Sequence, residues 1–336
     1  MHLSRYLLRP LSAAIGKQLE HYSQFQPSSL SIQQYLDFGR TGNVTSSYIF
    51  LKKELLVRLA NIMQEIALLP PELLRMSSCR LVNDWYKESF TDLLRYEQAP
   101  PEKQFMDSFN DELQKVLKRH SHVVETMAEG LIELKDAHGI DIASERSIQY
   151  FLDRFYINRI SIRMLMNQHL LLFGSVLPES PRHVGCIDPQ CDVEVVINDA
   201  FDNARFLCER YYLTSPNMKL EAINSVSPAA KIQLVTVPSH LYHIMFELFK
   251  NAMRATVEHY GVDQDLPNVR VTVVKGREDL SIKISDRGGG VSRTILDRLF
   301  NYMYSTAPPP PRDGAQAPLV SLSILLSVPD VVDLSY

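Results

Sequence analysis

The chain has 336 residues, a formal net charge of −4 and four cysteines. Its length argues for two domains, and 45% hydrophobic against 22% charged residues provides apolar surface for two cores. This balance gives no reason to expect a nucleic-acid partner, no apolar run is long enough to span a bilayer, and Cys79, Cys186, Cys191 and Cys208 are too scattered for a disulfide framework. Cys186 and Cys191 have no second Cys/His pair at zinc-site spacing and are read as loop thiols of a reducing compartment.

Met1 to Lys17 carries Arg5, Arg9 and Lys17, and no acidic residue precedes Glu20. That composition suits a mitochondrial transit segment over residues 1–24 and equally a basic first helix. Residues 25–177 are expected to form a helical bundle of the four-helix type. Leu51, Leu55, Leu59, Ile62, Met63 and Ile66 recur at helical steps until Pro70-Pro71. After Pro100-Pro101, one helical run is expected from Gln104 to Gly130, striped by Phe105, Phe109, Leu113, Val116 and Leu117. A long helix follows Ser144 and ends near Gly174. His120 and the pair Arg159 and Arg163, the latter two four apart on one face, are the polar features of the bundle. Such a pair is either a solvated or salt-bridged face or an anion-binding one.

Pro178 to Pro189 reads as a linker. Beyond it, Val193 to Tyr212 is helical, while Ile232–Val237, Val269–Val273 and Leu280–Ile284 alternate as half-buried strands do. Residues 190–319 are therefore expected to form an α/β sandwich with one mixed sheet and helices on one face, giving an α+β chain overall. Within it, Glu247 and Asn251 share a helical ridge one turn apart, while Phe246, Leu248, Phe249 and Met253 are expected to pack down. A carboxylate and a carboxamide there could serve a hard cation and a reacting hydroxyl, although Glu, Lys, Asn and Arg also make an ordinary solvated face. After the last strand, Asp286-Arg287-Gly288-Gly289-Gly290 combines a hydrogen-bond acceptor with glycines that allow close backbone approach.

That order of helix, strand and glycine turn resembles the ATP-binding domain shared by DNA gyrase B, Hsp90, bacterial histidine kinases and MutL. Glu247–Asn251 matches its N box, and Asp286, Gly288 and Gly290 match its G1 box. Pro238–His243, Glu247–Glu258 and Tyr302–Pro308 narrow the resemblance to the mitochondrial pyruvate dehydrogenase kinase family, as do Tyr150–Tyr156 and Arg159–Leu165 in the bundle. The Ser-Thr-Ala-Pro segment at residues 305–308 favours that family over its branched-chain 2-oxoacid relative. A gyrase-like ATPase is disfavoured because the bundle precedes the nucleotide domain.

The resemblance implies a protein-serine kinase of the mitochondrial matrix. It would use ATP and Mg²⁺ to phosphorylate, and so inhibit, the E1α subunit of the pyruvate dehydrogenase complex. It further implies that Glu247 is the general base, tuned by His243, that Asn251 binds Mg²⁺, and that Asp286 receives the adenine amino group. The run Glu247, Leu248, Phe249, Lys250, Asn251, Ala252, Met253 and Arg254 would line the nucleotide, with Gly288, Gly290 and the lid residues Ser305 and Thr306. His120, Arg159 and Arg163 would form a pocket for pyruvate-like carboxylates. The bundle would dock the lipoyl domain of the E2 core, and the family is dimeric. One departure stands out. Where the family continues with Gly-x-Gly-x-Gly-Leu-Pro, this chain runs Val320-Ser321-Leu322-Ser323 and has no glycine after Gly314. Residues 320–336 are thus expected to be a non-family tail from an altered reading frame or splice, leaving the ATP-binding domain incomplete and dimerisation doubtful. The competing expectation is an impaired isoform that does not bind ATP and acts as an interaction or decoy protein.

Overall fold

The computed structural model describes residues 13–174 and 182–304. Among these, the residues up to Cys186 together with Asn301–Met303 form a helical unit, and Ile187–Phe300 with Tyr304 form an α/β unit. Residues 1–12, the lid residues Ser305 and Thr306, and the expected tail 320–336 lie outside the described residues.

The helical unit contains α1 (Ala13–Tyr22), α2 (Ile32–Thr41), α3 (Val44–Ala67), a short α4 (Pro71–Leu74), α5 (Ser77–Leu94), α6 (Lys103–Arg119), α7 (Val123–His138) and α8 (Arg146–Phe173). Local chemistry sets several starts. Ser31 and Gln34 cap α2 reciprocally, and Asn43 and Ser46 do the same for α3. The stripe read on α3 is the buried one: Leu51, Leu55, Leu59, Ile62 and Ile66 are all at most 2% exposed. This helix packs on α5 and α8, α5 packs on α7, and α6 rests on α5 and α8. The run expected from Gln104 to Gly130 is two helices, broken at His120–His122. His120 turns its imidazole into the core, where it is 1% exposed, and the chain re-enters helix at Val123, which is also buried.

The α/β unit contains β1 (Asp188–Asp192), α9 (Val193–Tyr212), β2 (Met218–Asn224), β3 (Gln233–Thr236), α10 (Pro238–Tyr260), β4 (Val269–Lys275), β5 (Leu280–Ser285) and a 3₁₀ turn over Arg293–Arg298. Instead of one mixed sheet there are two among the described residues. β1 and β3 form an antiparallel pair, and a three-stranded sheet has the order β2-β4-β5, parallel then antiparallel. Val269, Val271 and Val273 of β4 are buried with Met245, Phe249, Met253 and Val257 of α10 and Ile197 and Phe201 of α9. The Phe201 and Phe249 rings meet edge-on at 5.3 Å. β1 begins inside the expected linker because Asp-Pro-Gln-Cys-Asp lacks alternation, and Cys191 is consequently a buried strand residue rather than a loop thiol.

Candidate functional site

α10 starts at Pro238, a residue suited to a first helical position because it has no N–H to leave unpaired. Its buried stripe is Met245, Phe249, Ala252, Met253, Thr256 and Val257. At about 100° per residue, Glu247, Asn251, Arg254 and Glu258 fall on the opposite ridge. Leu248 does not pack down as expected. It lies to one side of the buried stripe and is 47% exposed.

Glu247 is far from a solvated side chain. Its Oε1 lies 2.8 Å from Lys250 Nζ, and the two side chains are 12% and 4% exposed. The Lys250 ammonium also sits 5.0 Å from the centroid of the Phe246 ring. Glu247 Oε2 is shielded from solvent and accepts no hydrogen bond from the described residues. One oxygen is therefore held in an ion pair, while the other is enclosed without a donor from the described residues. His243 lies half-buried one turn earlier. His240, a further turn back, has a shielded Nε2 with no partner among the described residues, and burial followed by the nearby His243 lowers its pKa. Asn251 is exposed, its carboxamide engaged by none of the described residues. Arg254 Nε donates to Glu258 Oε1 at 2.7 Å, and the same oxygen accepts from the Tyr212 hydroxyl at 3.0 Å. Lys250 was read only as one of a nucleotide-lining run; its three-residue spacing from Glu247 was the available signal of an ion pair. Phe249, Ala252 and Met253, members of the same run, turn into the core.

The glycine turn meets this helix. A Cβ built on Gly288 would stand 2.4 Å from Ala255 Cβ and 2.5 Å from the Ala255 carbonyl carbon, so the turn contacts α10 one turn beyond Asn251. Gly289 and Gly290 have φ of 83° and 72°, a region that β-carbon sterics close to most residues. Asp286 is exposed, and its Oδ1 accepts from the Gly288 amide at 2.8 Å. Ala255 and His259, the neighbours of these glycines, carried no sequence signal of that role.

In the helical unit, His120 and Arg159 meet directly: Arg159 Nη2 donates to the His120 carbonyl at 3.1 Å. Arg163 lies one turn along the same face of α8, and its charge acts on His120. All three are buried, at 1%, 1% and 8% exposure, which removes the solvated-face alternative. Ser89 Oγ lies 2.9 Å from His120 Nε2 and accepts from Arg119 at 2.8 Å. Burial, assisted by the neighbouring guanidinium charges, pushes His120 down to about 3 against an opposing hydrogen bond to the Trp85 carbonyl. The imidazole is thus neutral beside two fixed cations.

A separate apolar cavity of about 300 Å³ opens between α2, α3 and α8, lined by Leu30, Tyr35, Phe38, Phe50 and Leu172. Ser47 and His169 add its polar lining, with 2.7 Å between Ser47 Oγ and His169 Nδ1 and 2.8 Å between His169 Nε2 and Asn110 Oδ1.

Residues 236–324 match the family described as histidine kinase-, DNA gyrase B-, and HSP90-like ATPase. Residues 29–188 match the mitochondrial branched-chain alpha-ketoacid dehydrogenase kinase model. Over 319 residues the chain is 74% identical to the mitochondrial [pyruvate dehydrogenase (acetyl-transferring)] kinase of Ascaris suum, covering 95% of this chain and 80% of that one. A probable mitochondrial kinase of the same name from Caenorhabditis elegans is 71% identical over the same shares. The human isozyme 4 is 49% identical over 98% of this chain and 82% of that one. The chain belongs to the pyruvate dehydrogenase kinase family. Its N-terminal match to a branched-chain kinase model does not displace that conclusion, because the relatives matched along almost the whole chain are pyruvate dehydrogenase kinases. The reading as a non-catalytic interaction protein is not favoured by this family membership.

Proposed function

We propose that this member of the pyruvate dehydrogenase kinase family is a protein-serine kinase of the mitochondrial matrix. It transfers the γ-phosphoryl group of ATP to a serine of the E1α subunit of the pyruvate dehydrogenase complex. The observation that carries the proposal is the state of Glu247: Lys250 holds Oε1, and Oε2 is shielded and unpartnered. In phosphoryl transfer the protein supplies position and charge more than covalent chemistry. Glu247 Oε2 would accept the serine proton as the serine Oγ attacks the γ-phosphorus and the bond to the departing ADP breaks, while Lys250 keeps the carboxylate from rotating. His243 would act on that carboxylate from the preceding turn.

The residues present fit a magnesium ion carried by the nucleotide. Asn251 offers an exposed neutral oxygen beside Glu247, and no group of three or more His, Cys, Asp or Glu among the described residues forms a dedicated metal cage. Mg²⁺ prefers one or two protein oxygens with phosphate and water. When bound, it would neutralise charge on the phosphates. Asp286 would take the adenine amino group on the carboxylate oxygen that Gly288 does not occupy. Arg254, Gly288 and Gly290 would line the nucleotide; Ser305 and Thr306 are proposed for the lid.

His120, Arg159 and Arg163 are proposed as a regulatory site for small carboxylates, supported by two buried guanidinium groups around a neutral imidazole. The apolar cavity beside Phe38 and Phe50 supports docking of the E2 lipoyl group, whose aliphatic arm it would shield from water. No helix among the described residues is long and apolar enough to cross a membrane.

The test is phosphate transfer from ATP to isolated E1 by the full chain and by Glu247→Gln. The variant is expected to bind ATP normally but to lose about 10²- to 10⁴-fold in turnover, the span typical of a general base. Undiminished turnover would remove Glu247 from this role, and absence of transfer by the parent chain would overturn the kinase proposal.

A further inference from the structure

Three residues depart from the unit that surrounds them in sequence. Asn301, Tyr302 and Met303 belong to the helical unit, although the described chain on either side belongs to the α/β unit. Tyr302 is held by its backbone. Its N–H donates to Gln149 Oε1 at 2.7 Å, and its carbonyl accepts from Gln149 Nε2 at 3.0 Å. A single carboxamide thus pairs both backbone groups of one residue, as an adjoining β-strand would. Gln149 Nε2 also donates to the Ile142 carbonyl at 3.0 Å, which fixes which end of the amide faces which group.

The neighbouring contacts reinforce the clamp. Asn301 Nδ2 donates to the Ala143 carbonyl at 2.8 Å. The Tyr302 ring lies 5.4 Å from that of Tyr156, and its phenol hydrogen-bonds to Asp153. Met303 then takes φ of 65°, an uncommon conformation for a residue with a side chain. Local preference does not supply such a conformation; the surroundings must impose it.

The segment that ends in this clamp begins at the Asp286–Gly290 turn. Between them, Val291, Leu296, Leu299 and Phe300 are 39–92% exposed, so this stretch has little packing of its own to hold it. It is tied at its start by Gly288 against Ala255 and at its end by Gln149 on Tyr302. We propose that Gln149 is a positioning residue for nucleotide binding: its carboxamide clamps Tyr302 and so fixes the far end of the segment that begins at the nucleotide turn. The proposal rests on the assignment of Asp286–Gly290 to the nucleotide. Gln149 touches no part of the proposed site itself.

The experiment compares the full chain with Gln149→Leu, which keeps the side-chain size and removes every hydrogen bond of the amide. Titration with a methylanthraniloyl-labelled ADP is expected to show about tenfold weaker binding, the loss of roughly one to two net hydrogen bonds. The KM for ATP is expected to rise in parallel, while kcat at saturating ATP stays within about twofold, as for lost uniform binding. Trypsin cleavage after the exposed Arg287 and Arg293 is expected to accelerate in the absence of nucleotide. A merely structural role would lower kcat and thermal stability together without this split. Unchanged ADP affinity and cleavage rate in Gln149→Leu would overturn the clamp while leaving the nucleotide site intact. Failure of the parent chain to bind ADP would instead overturn the site assignment and the clamp with it. If Gln149→Leu does not fold, Asn301→Ala, which loses only the bond to Ala143, is expected to weaken ADP binding about threefold, and unaltered affinity there overturns the proposal.

Discussion

In the helical unit, His120, Arg159 and Arg163 come from a helix junction and from α8, and each is almost fully enclosed. In the α/β unit, Glu247, Asn251 and Arg254 share one ridge of α10, and Asn251 faces solvent. The enclosed cluster bears the cost of desolvation, which the structure meets in part by keeping His120 neutral and by the bond from Arg159 to the His120 carbonyl. On the ridge that cost is uneven: Glu247 is enclosed with Lys250, while the Asn251 carboxamide faces solvent. Low dielectric, where each charge acts more strongly, suits the regulatory role proposed for the cluster, whereas the exposed Asn251 carboxamide suits the nucleotide exchange proposed for the ridge.

The largest expected contrast is in buried ion pairs. Glu54 and Arg58 are paired at 2.8 Å with side chains 7% and 8% exposed, and Glu54 also accepts from the Ser28 amide and hydroxyl. Glu54→Ala strands a buried guanidinium and is expected to cost about 3–5 kcal/mol. Glu258→Ala, which removes a partner 45% exposed, is expected to cost no more than about 1 kcal/mol. Trp85, the chain's single tryptophan, lies in α5, so its fluorescence during urea unfolding reports the helical unit, and far-UV circular dichroism, to which α9 and α10 contribute, also reports the α/β unit. Equal destabilisation by the two variants would contradict the contrast.

Acid should separate the units next. His120 and His169 are held by burial at about 3 and about 4, below the ordinary value of 6.5. The unfolded chain therefore binds more protons over that interval. Stability from these neutral histidines is complete above pH 6.5 and is lost as pH falls toward about 3 for His120 and about 4 for His169. Each should remove about 1.4 kcal/mol per pH unit, or about 2 kcal/mol by pH 5. A Trp85 unfolding midpoint that stays constant between pH 7 and 5 would show that these histidines are not buried neutral.

The smallest expected change sharpens the other side. Gly288→Ala pushes a methyl group against the α10 backbone at Ala255, and overpacking of this kind costs about 1–3 kcal/mol. The turn is expected to shift and ATP affinity to fall, while the Trp85 transition stays in place. Normal ATP affinity in this variant would argue against close approach of the turn to the nucleotide.

Much of this was legible before folding. The α3 stripe, the alternation in β4 and β5, the Glu247–Asn251 spacing and the Asp286–Gly290 turn all appear as local patterns, because helix and strand periods place side chains on faces regardless of what covers them. The misses share one cause. The break at His120 depends on a buried imidazole whose partners Ser89 and Trp85 are distant in sequence. β1 was hidden because its polar residues pair with β3 rather than alternating. Leu248 is apolar and helical in spacing, yet the sheet beneath α10 covers a stripe that leaves it aside.

By itself, the sequence determined the family, the succession of a helical region by an α/β one, and which residue types sit one turn apart on α10. These follow from covalent spacing and from matches of residue type. Only the tertiary structure decided that Lys250 rather than solvent meets Glu247, that Arg159 and Arg163 are enclosed with His120, and that Gln149 pairs with Tyr302 across 153 residues of chain. Each of those outcomes depends on which surfaces exclude water, and a chain acquires that property only when its elements pack.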